Sequence, residues 1–366
     1  MKKRLKVEGC RLQVESYKLK VESCRLQVWQ IFLVVGFLTT LSACAPTTAN
    51  QELATTEISS VTETQPSTLN LQPSTPTPNP PTPTLLPPTP TPLPCNDEFC
   101  IHAGHFIFQR PIALDLVDVV DPSYRFGNTA NGLRKTHHGV EFVNPQGTPV
   151  LAAANGLIII AGNDYQDPLA DFPAFYGNVV VIEHTFPDTQ LPNYLMPVYT
   201  LYGHLSEVRA EVGQQVNAGD VIGLVGFTGA AIGEHLHFEV RQGENSYRAT
   251  RNPELWLSPH LDESEQPTGA IAGHIVDEYG NSIYIPTITI EQINPASGDI
   301  LAVYYLEGYA DWTVNGDDVW GEAFALGDIP AGQYRISFVA RGLQNYTIEV
   351  LPGMVTVITF DAKKNN

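Results

Sequence analysis

The chain has 366 residues, of which 43% are hydrophobic, so it is long enough for two or three domains with hydrophobic cores. It carries 39 Asp and Glu residues against 20 Lys and Arg residues, and eight of the basic side chains lie within the first 28 positions. The rest of the chain is therefore strongly acidic, which excludes nucleic acid as a partner because its phosphates would be repelled.

The amino-terminal segment predicts an export signal. The charged sequence KVEGCRLQV begins at Lys6 and recurs with one difference at Lys20; it is unlike a folded domain and is either an over-extended start or a long basic leader. Residues 29–40 (WQIFLVVGFLTT) are apolar but too few to span a bilayer comfortably, which is typical of a signal peptide. The following LSAC resembles the bacterial lipoprotein signal and implies cleavage before Cys44 and acylation of its thiol. We therefore predict that residues 1–43 are a lipoprotein signal peptide and that the mature protein is lipid-anchored in the cell envelope, outside the cytoplasm.

Residues 44–94 predict a disordered tether. They are dominated by Thr, Pro, Ser, Asn and Gln, as in QPSTPTPNPPTPTLLPPTPTPLP. Such a segment cannot bury enough apolar surface to fold, and its prolines favour an extended chain of about 3.1 Å per residue. We expect a spacer that holds the folded part away from the membrane.

Cysteine usage predicts one disulfide. Of the five cysteines, export would remove the first two and lipidate the third, which leaves Cys95 and Cys100 in an oxidising compartment. We predict that these two form a disulfide at the entrance to the first folded domain. A zinc site that also uses His102 and His105 is a minor alternative.

From about residue 106 to 259 the sequence predicts an antiparallel β domain, because short apolar runs alternate with Gly, Pro and Asn. The runs at 156–162 and 178–184 predict buried strands. The longer connections at 164–175 and 186–197 predict loops that wall a groove.

Histidines occur in three motifs of this region. In GEHLHFEV, His235 and His237 share one face of a predicted strand, because successive strand side chains point to opposite faces. The motif THHGVE places Glu141 four residues after His137, a separation of about 13 Å on a regular strand, which is too far for one metal ion. A bend at Gly139 would let these two side chains converge. The third motif, YGHL, places a histidine at a strand end.

The order of these motifs resembles the lysostaphin or LytM type of zinc metallopeptidase, which hydrolyses peptide bonds in bacterial cell walls. The matching elements are H-x-x-x-E, Y-G-H-L-S, V-G-x-x-V-x-x-G-D-x-I-G-x-x-G and G-x-H-L-H-F-E, over about residues 125–257. The resemblance implies that His137, Glu141 and His237 bind zinc and leave one position for water. Glu141 departs from the family pattern, which normally has Asp at this position. We expect zinc binding to survive the extra methylene.

The resemblance also implies catalytic roles for His204 and His235. One would help to deprotonate the attacking water, and the other would stabilise the oxyanion or protonate the departing amine. The sequence does not decide which of the two histidines has which role. The remaining histidines, together with Asp164, Asp167 and Asp171, are predicted to be structural or solvated. The hairpin VGQQVNAGDVIGLVG is also similar to biotinyl or lipoyl carrier domains, but it lacks their acceptor lysine.

Residues 268–363 predict a β-sandwich of about seven strands, of the immunoglobulin or transthyretin type. The motifs G-x-I-x-G-x-I-V-D-x-x-G-N and D-I-P-A-G-Q-Y are similar to those of carboxypeptidase-regulatory-like domains, which are accessory modules. Five aromatic residues of this region are predicted to be buried core or strand-pair residues, with a sugar-binding or wall-binding face as the alternative: Tyr304, Tyr305, Tyr309, Trp312 and Trp320.

The leading functional hypothesis is an exported, lipid-anchored zinc endopeptidase that cuts peptide stems or cross-bridges of peptidoglycan. It assigns residues 95–262 to the metallopeptidase domain, with peptidoglycan and the membrane as partners. The first alternative is a non-catalytic scaffold of the same fold that regulates cell-wall amidases. The second is a wall-binding lipoprotein whose zinc is structural.

Overall fold

The fold is described by a computed structural model that covers residues 4–7, 10–15, 18–24, 93–186, 196–262 and 264–364. The chain divides into two compact units, residues 1–84 and 85–366. The described residues are almost all strands and loops, with two short 3-10 turns at Tyr247–Ala249 and Pro253–Leu255, which confirms the predicted mostly β class. No helix in these ranges is long and apolar enough to cross a membrane. The apolar run 29–40, Cys44 and the tether up to residue 92 lie outside the described residues.

The first unit contains a small antiparallel sheet of three strands in the order β1-β2-β3: β1 (Arg4–Val7), β2 (Cys10–Glu15) and β3 (Lys18–Cys24). The sequence predicted no folded domain here. The two copies of the charged repeat alternate Val or Leu with polar residues, and this period favours strands.

The central part of the second unit contains two sheets. They are preceded by strand β4 (Phe99–Ala103), which belongs to neither sheet. The strands of the two sheets are β5 (Val140–Phe142), β6 (Pro149–Leu151), β7 (Gly156–Asn163), β8 (Asn178–His184), β9 (Val198–Gly203), β10 (Glu207–Val208), β11 (Gln215–Val216), β12 (Val221–Leu224), β13 (Leu236–Gln242) and β14 (Thr250–Arg251). The larger sheet has the order β11-β7-β8-β9-β13-β14, with β5 also paired to β13, and the smaller has the order β10-β12-β6. The predicted strands at 156–162 and 178–184 are β7 and β8; β8 is mostly buried, whereas β7 is mostly half-buried.

The carboxy-terminal part is a sandwich of two four-stranded sheets. Its strands are β15 (Gly269–Val276), β16 (Ile288–Ile293), β17 (Ile300–Leu306), β18 (Phe324–Ile329), β19 (Gly332–Val339), β20 (Leu343–Val350) and β21 (Met354–Asp361). One sheet has the order β17-β16-β19-β20 and the other has the order β18-β15-β21-β4. The sequence predicted about seven strands, and the eighth comes from the segment that precedes the central domain.

Strand β4 therefore joins the amino-terminal edge of the folded part to the sandwich. It runs antiparallel to β21 with Ala103 opposite Met354, and its Ile101 is only 3% exposed. Cys95 and Cys100 are joined by a disulfide immediately before and within this strand. The domain boundaries at residues 95, 262 and 268 stay predictions, but β4 belongs to the sheet of the sandwich.

One hydrophobic cluster spans the boundary between the central domain and the sandwich, which also has a core of its own. Phe108 and Trp256 of the central part are fully buried in the same cluster as Trp320 and Val355 of the sandwich. Buried polar contacts cross the same boundary, since the Glu254 carboxylate accepts a hydrogen bond from the backbone N–H of Gly327 at 2.8 Å. Neither part can separate without exposing apolar surface.

The aromatic residues of the sandwich are divided between the core and the surface. Trp320 is 7% exposed and packs in the shared core, as predicted. Trp312 is 75% exposed, so the core prediction is wrong for this residue, and its ring lies 4.2 Å beneath the Arg248 guanidinium.

We predict one cooperative calorimetric transition for the central domain and the sandwich in the full-length protein, because the two share a core. Trp320→Ala should destabilise the fold by about 3 kcal/mol and lower the transition temperature by roughly 5–10 °C. Trp312→Ala is the matched control, since it removes an exposed ring, and we expect a shift of at most about 2 °C. Two separate transitions, of which Trp320→Ala moves only one, would contradict a shared core.

Candidate functional site

The candidate site lies along β13, which pairs with β5 and with β9. In this register His237 is opposite Glu141 of β5 and opposite Gly203 of β9. His235 precedes the strand and is held by an isolated bridge to Gly226. Main-chain pairing therefore brings three distant parts of the chain to one point.

His137 and Glu141 converge although three residues separate them. The distance from His137 Nε2 to Glu141 Oε1 is 3.8 Å. His137 lies before β5 rather than within it, so regular strand spacing does not apply. A Cβ at Gly139 would lie 2.4 Å from Phe238 O and 2.8 Å from the His237 ring. Glycine is thus required by the close approach of this segment to β13.

Hydrogen bonds leave one nitrogen free on each of two buried imidazoles. His137 Nδ1 donates to Tyr124 O at 2.7 Å, and His237 Nε2 donates to the Glu239 carboxylate at 3.0 Å. Carbonyl and carboxylate oxygens only accept hydrogen bonds, so His137 Nε2 and His237 Nδ1 carry lone pairs. These two nitrogens are 3.1 Å apart.

This arrangement fits a metal cation. Two lone pairs at such a distance repel each other unless a positive charge lies between them. Two ligand nitrogens on a tetrahedral zinc ion, each at about 2.0–2.1 Å, would be about 3.3 Å apart. Ligand atoms of His137, Glu141 and His237 all lie within 4.8 Å of one another. Two imidazoles and one carboxylate are the donors of a catalytic zinc site.

A buried polar network fixes the His237 ring. Glu239 Oε1 accepts the hydrogen bond from His237 and another from Tyr176 Oη at 2.5 Å, while Arg241 Nε donates to Glu239 Oε2 at 2.7 Å. Arg241 Nη2 also contacts Tyr176 Oη at 3.0 Å. Burial acts against the charge, but Arg241 and these hydrogen bonds hold the pKa of Glu239 at about 2. The carboxylate is therefore ionised and keeps the proton of His237 on Nε2.

The rings of His204 and His235 lie beside the candidate metal ligands. Their ring centroids are 4.9 Å apart, and the His204 ring is 5.6 Å from that of His237. The Nδ1 atoms donate to backbone carbonyl oxygens, that of Thr228 at 2.8 Å and that of Gly233 at 3.1 Å. Each ring therefore keeps Nε2 as a proton acceptor. His235 Nε2 is buried without a hydrogen bond in the described structure, 3.5 Å from the nearest carboxylate oxygen.

The electrostatic environment keeps these two histidines neutral. Burial, reinforced by neighbouring His237, lowers the pKa of His204 to about 3 and that of His235 to about 4. Burial also lowers the pKa of His137 well below its usual range. Neutral imidazoles bind metals and accept protons.

An open cavity of about 220 Å³ lies over these residues. Its walls are largely apolar and include Phe172, Phe175, Ile232 and Tyr247. The first two belong to the connection at 164–175, which the sequence predicted as a groove wall. Most of the second predicted loop lies outside the described residues.

Some residues outside the cluster have structural roles. His184 lies between Asn155 O and Thr200 Oγ1, both at 2.8 Å, as predicted for a strand histidine. Asp164 was predicted to be a solvated charge, and this is wrong. It is fully buried and accepts hydrogen bonds from the backbone N–H groups of Tyr176 and Gly177, both at 2.9 Å. The carboxylate closes the loop because these N–H groups have no strand partner there.

Sequence reasoning missed the residues that orient the ligands. The polar side chains of Glu239 and Arg241 follow His237 at alternate positions of one strand, so period two was a usable signal for both. Tyr124 carried no such signal. Its ring stacks on His137 with centroids 4.1 Å apart, and its carbonyl accepts from the same histidine.

Comparison with known proteins identifies the central segment. The family model described as Peptidase family M23 matches residues 135–249, which include all five residues of the cluster. DD-carboxypeptidase/endopeptidase Mpg of Neisseria meningitidis is 39% identical over 107 residues, which are 29% of this chain and 20% of that protein. Peptidoglycan DD-endopeptidase ShyA of Vibrio cholerae is 36% identical over 104 residues, 28% of this chain and 20% of that protein.

The chain thus spans about a fifth of the length of these curated relatives. Among solved structures, the catalytic domain of lysostaphin from Staphylococcus simulans is 30% identical, over 32% of this chain and 76% of that chain, with a TM-score of 0.26. Residues 135–249 are a Peptidase family M23 domain, which confirms the family that the sequence motifs predicted.

Proposed function

We propose that this protein is a lipid-anchored zinc metalloendopeptidase that hydrolyses peptide bonds of bacterial peptidoglycan. The observation that supports it best is the pair of facing lone pairs on His137 and His237, 3.1 Å apart, with the Glu141 carboxylate beside them. The similarity to ShyA, a peptidoglycan DD-endopeptidase, supports the substrate class.

His137, Glu141 and His237 would hold the zinc ion. When bound, zinc supplies Lewis acidity that polarises a carbonyl group and makes water more acidic. The hydrogen bonds to Tyr124 O and Glu239 keep the ligand nitrogens deprotonated and the rings oriented.

His204 and His235 would move protons. Each begins neutral with Nε2 available, so each can accept a proton from water and return it to the departing amine. Once protonated, either imidazolium can donate a hydrogen bond to the developing oxyanion. The largely apolar walls of the cavity lower the local dielectric constant and so strengthen these interactions.

One observation favours the non-catalytic alternative, in which the protein regulates wall amidases. Glu141 stands where the family normally has Asp, so the acid arm is one methylene longer. The other four residues of the cluster are retained, which supports catalysis. Measurements of zinc binding and of wall hydrolysis distinguish the two functions.

Membrane attachment is a further part of the proposal. We propose that Cys44 is acylated after export, because LSAC directly follows an apolar run. Two or more acyl chains would make the attachment stable. Residues 45–94 would then act as the spacer between the membrane and the folded part.

We expect the purified full-length protein to contain about one zinc ion per chain by elemental analysis. His237→Ala should remove most of this zinc and abolish the release of peptides from purified walls, because two ligands remain. His184→Ala is the matched control, since this buried histidine lies outside the cluster, and it should retain zinc. Purified wild-type protein without zinc would refute the enzymatic proposal.

Glu141→Asp separates the enzyme from the scaffold. The Glu141 carboxylate already lies beside His137, so a shorter arm should weaken zinc retention by about tenfold and lower hydrolysis. The measurement is zinc loss to a chelator together with peptide release. A large gain of hydrolysis would show instead that the native site is impaired and would favour the scaffold.

We expect His204→Ala and His235→Ala to keep zinc but to lower kcat by roughly 10²–10⁴-fold, because each removes a proton acceptor rather than a ligand. The rate is followed as new amino groups released from walls. Full activity of both variants would exclude the two residues from proton transfer.

Cys44→Ala should move the exported protein from the membrane pellet to the soluble fraction and abolish incorporation of labelled fatty acid. Cys24→Ala, a substitution within the predicted leader, is the control and should leave both unchanged. Unaltered membrane attachment of Cys44→Ala would refute acylation at this residue.

A further inference from the structure

Basic side chains in the described part of the second unit are mostly paired with carboxylates, as expected for an acidic chain. The paired residues are Arg110, Arg125, Lys135, Arg209, Arg241, Arg251, Arg335 and Arg341. Arg134 has no carboxylate partner and no side-chain hydrogen bond among the described residues. Its guanidinium instead lies 4.6 Å from the centroid of the Tyr124 ring.

The position of Arg134 relates it directly to the metal cluster. The Tyr124 ring, on which Arg134 stacks, itself stacks on His137 with centroids 4.1 Å apart. Tyr124 is fixed by its hydroxyl, which donates to Lys135 O at 2.5 Å. Arg134 lines the cavity over the metal cluster. A cation is therefore held at the edge of the site by an ordered aromatic platform.

Arg134 also lines a second cavity of about 390 Å³ that shares part of its wall with the first. The sandwich contributes Asp311 and Thr313 to this cavity, and the central domain contributes Asp171 and Thr136. The site is therefore walled by both domains.

The two acids of the second cavity already have partners. Asp171 accepts from Lys135 Nζ at 3.0 Å. Asp311 accepts from Thr136 Oγ1 at 2.6 Å and from the backbone N–H of Thr313 at 2.7 Å. Among the charged side chains that line this cavity, Arg134 is the one that forms neither a salt bridge nor a side-chain hydrogen bond with the described residues.

We propose that Arg134 determines substrate specificity by binding a free carboxylate of the peptide in the second cavity, within a residue or two of the scissile bond. The substrate class is thus an acidic peptide rather than a neutral cross-bridge. This inference rests on the proposed function, since it concerns the same groove.

The physical reason is the match between guanidinium and carboxylate. The planar fork donates two parallel hydrogen bonds to a carboxylate, and stacking on Tyr124 limits the rotamer entropy that binding would cost. The protein as a whole is acidic, with a formal net charge of -19 at pH 7, so a carboxylate bound here is held by Arg134 and not by a general attraction of the protein for anions. Charge-assisted hydrogen bonds at a partly exposed site correspond to about a tenfold preference in Kd.

The test compares two probes that differ only in charge. One is a cross-linked stem-peptide dimer with its free carboxylates, and the other is the same dimer with these groups converted to carboxamides. Binding is measured by calorimetric titration of the zinc-loaded full-length protein carrying His235→Ala, so that neither peptide is consumed. We expect the carboxylate peptide to bind about tenfold more tightly.

Arg134→Gln in this background should bring the ratio of the two Kd values close to one, and Arg134→Lys should restore part of the preference because it keeps the charge without the fork. Arg248→Gln is the matched control. Arg248 also lacks a carboxylate partner among the described residues and stacks on an aromatic ring, but it lines neither cavity. This control should keep the tenfold ratio.

The inference is overturned if the parent binds both peptides equally, if Arg134→Gln keeps the preference, or if Arg248→Gln removes it as well. Failure of the proposed function has a different signature. In that case the protein with His235 intact would cleave neither peptide, whereas the binding preference and its loss in Arg134→Gln would still be measured.

Discussion

The hydrogen-bond chain from His237 through Glu239 to Arg241 is the interaction on which the site depends. Glu239 and Arg241 are both fully buried, and a buried ion pair contributes little net stability because its desolvation cost is large. Its effect is positional. An ionised Glu239 holds the His237 proton on Nε2 and so leaves Nδ1 to face His137. Without that carboxylate the ring could turn or change tautomer, and the facing lone pairs would be lost.

The backbone of the cluster is also constrained, at His204. His204 has a positive φ of 63°, a conformation that costs a residue with a Cβ roughly 1–2 kcal/mol. It is held there by its own N–H, which donates to Tyr176 O at 2.8 Å, and by its ring bond to Thr228 O. Tyr176 is thus the partner of Glu239 on one side and of His204 on the other, so one buried tyrosine connects the orientation of a metal ligand with that of a proton acceptor.

The sandwich is part of this architecture and not an independent appendage. It receives β4 from the chain before the central domain and shares a core with that domain through Trp320. Its loop also reaches the groove, where Thr136 and Asp311 are joined by a hydrogen bond of 2.6 Å. A module that the sequence predicted to be accessory therefore forms one wall beside the candidate active site.

The β class, the strand periodicity and the family could be predicted from the amino-acid sequence, because they depend on local alternation and on spaced motifs that can be recognised without knowledge of tertiary contacts. The sequence also named the five residues of the cluster, although their convergence depended on the family resemblance. The contacts of Tyr124, Asp164 and Arg134, and the pairing of β4 with β21, could be found only in the folded protein. These features are contacts between positions far apart in the chain. A stacked ring, a buried carboxylate bound to distant N–H groups, a guanidinium over an aromatic ring and an edge strand have no local pattern that distinguishes them from ordinary loop or strand residues.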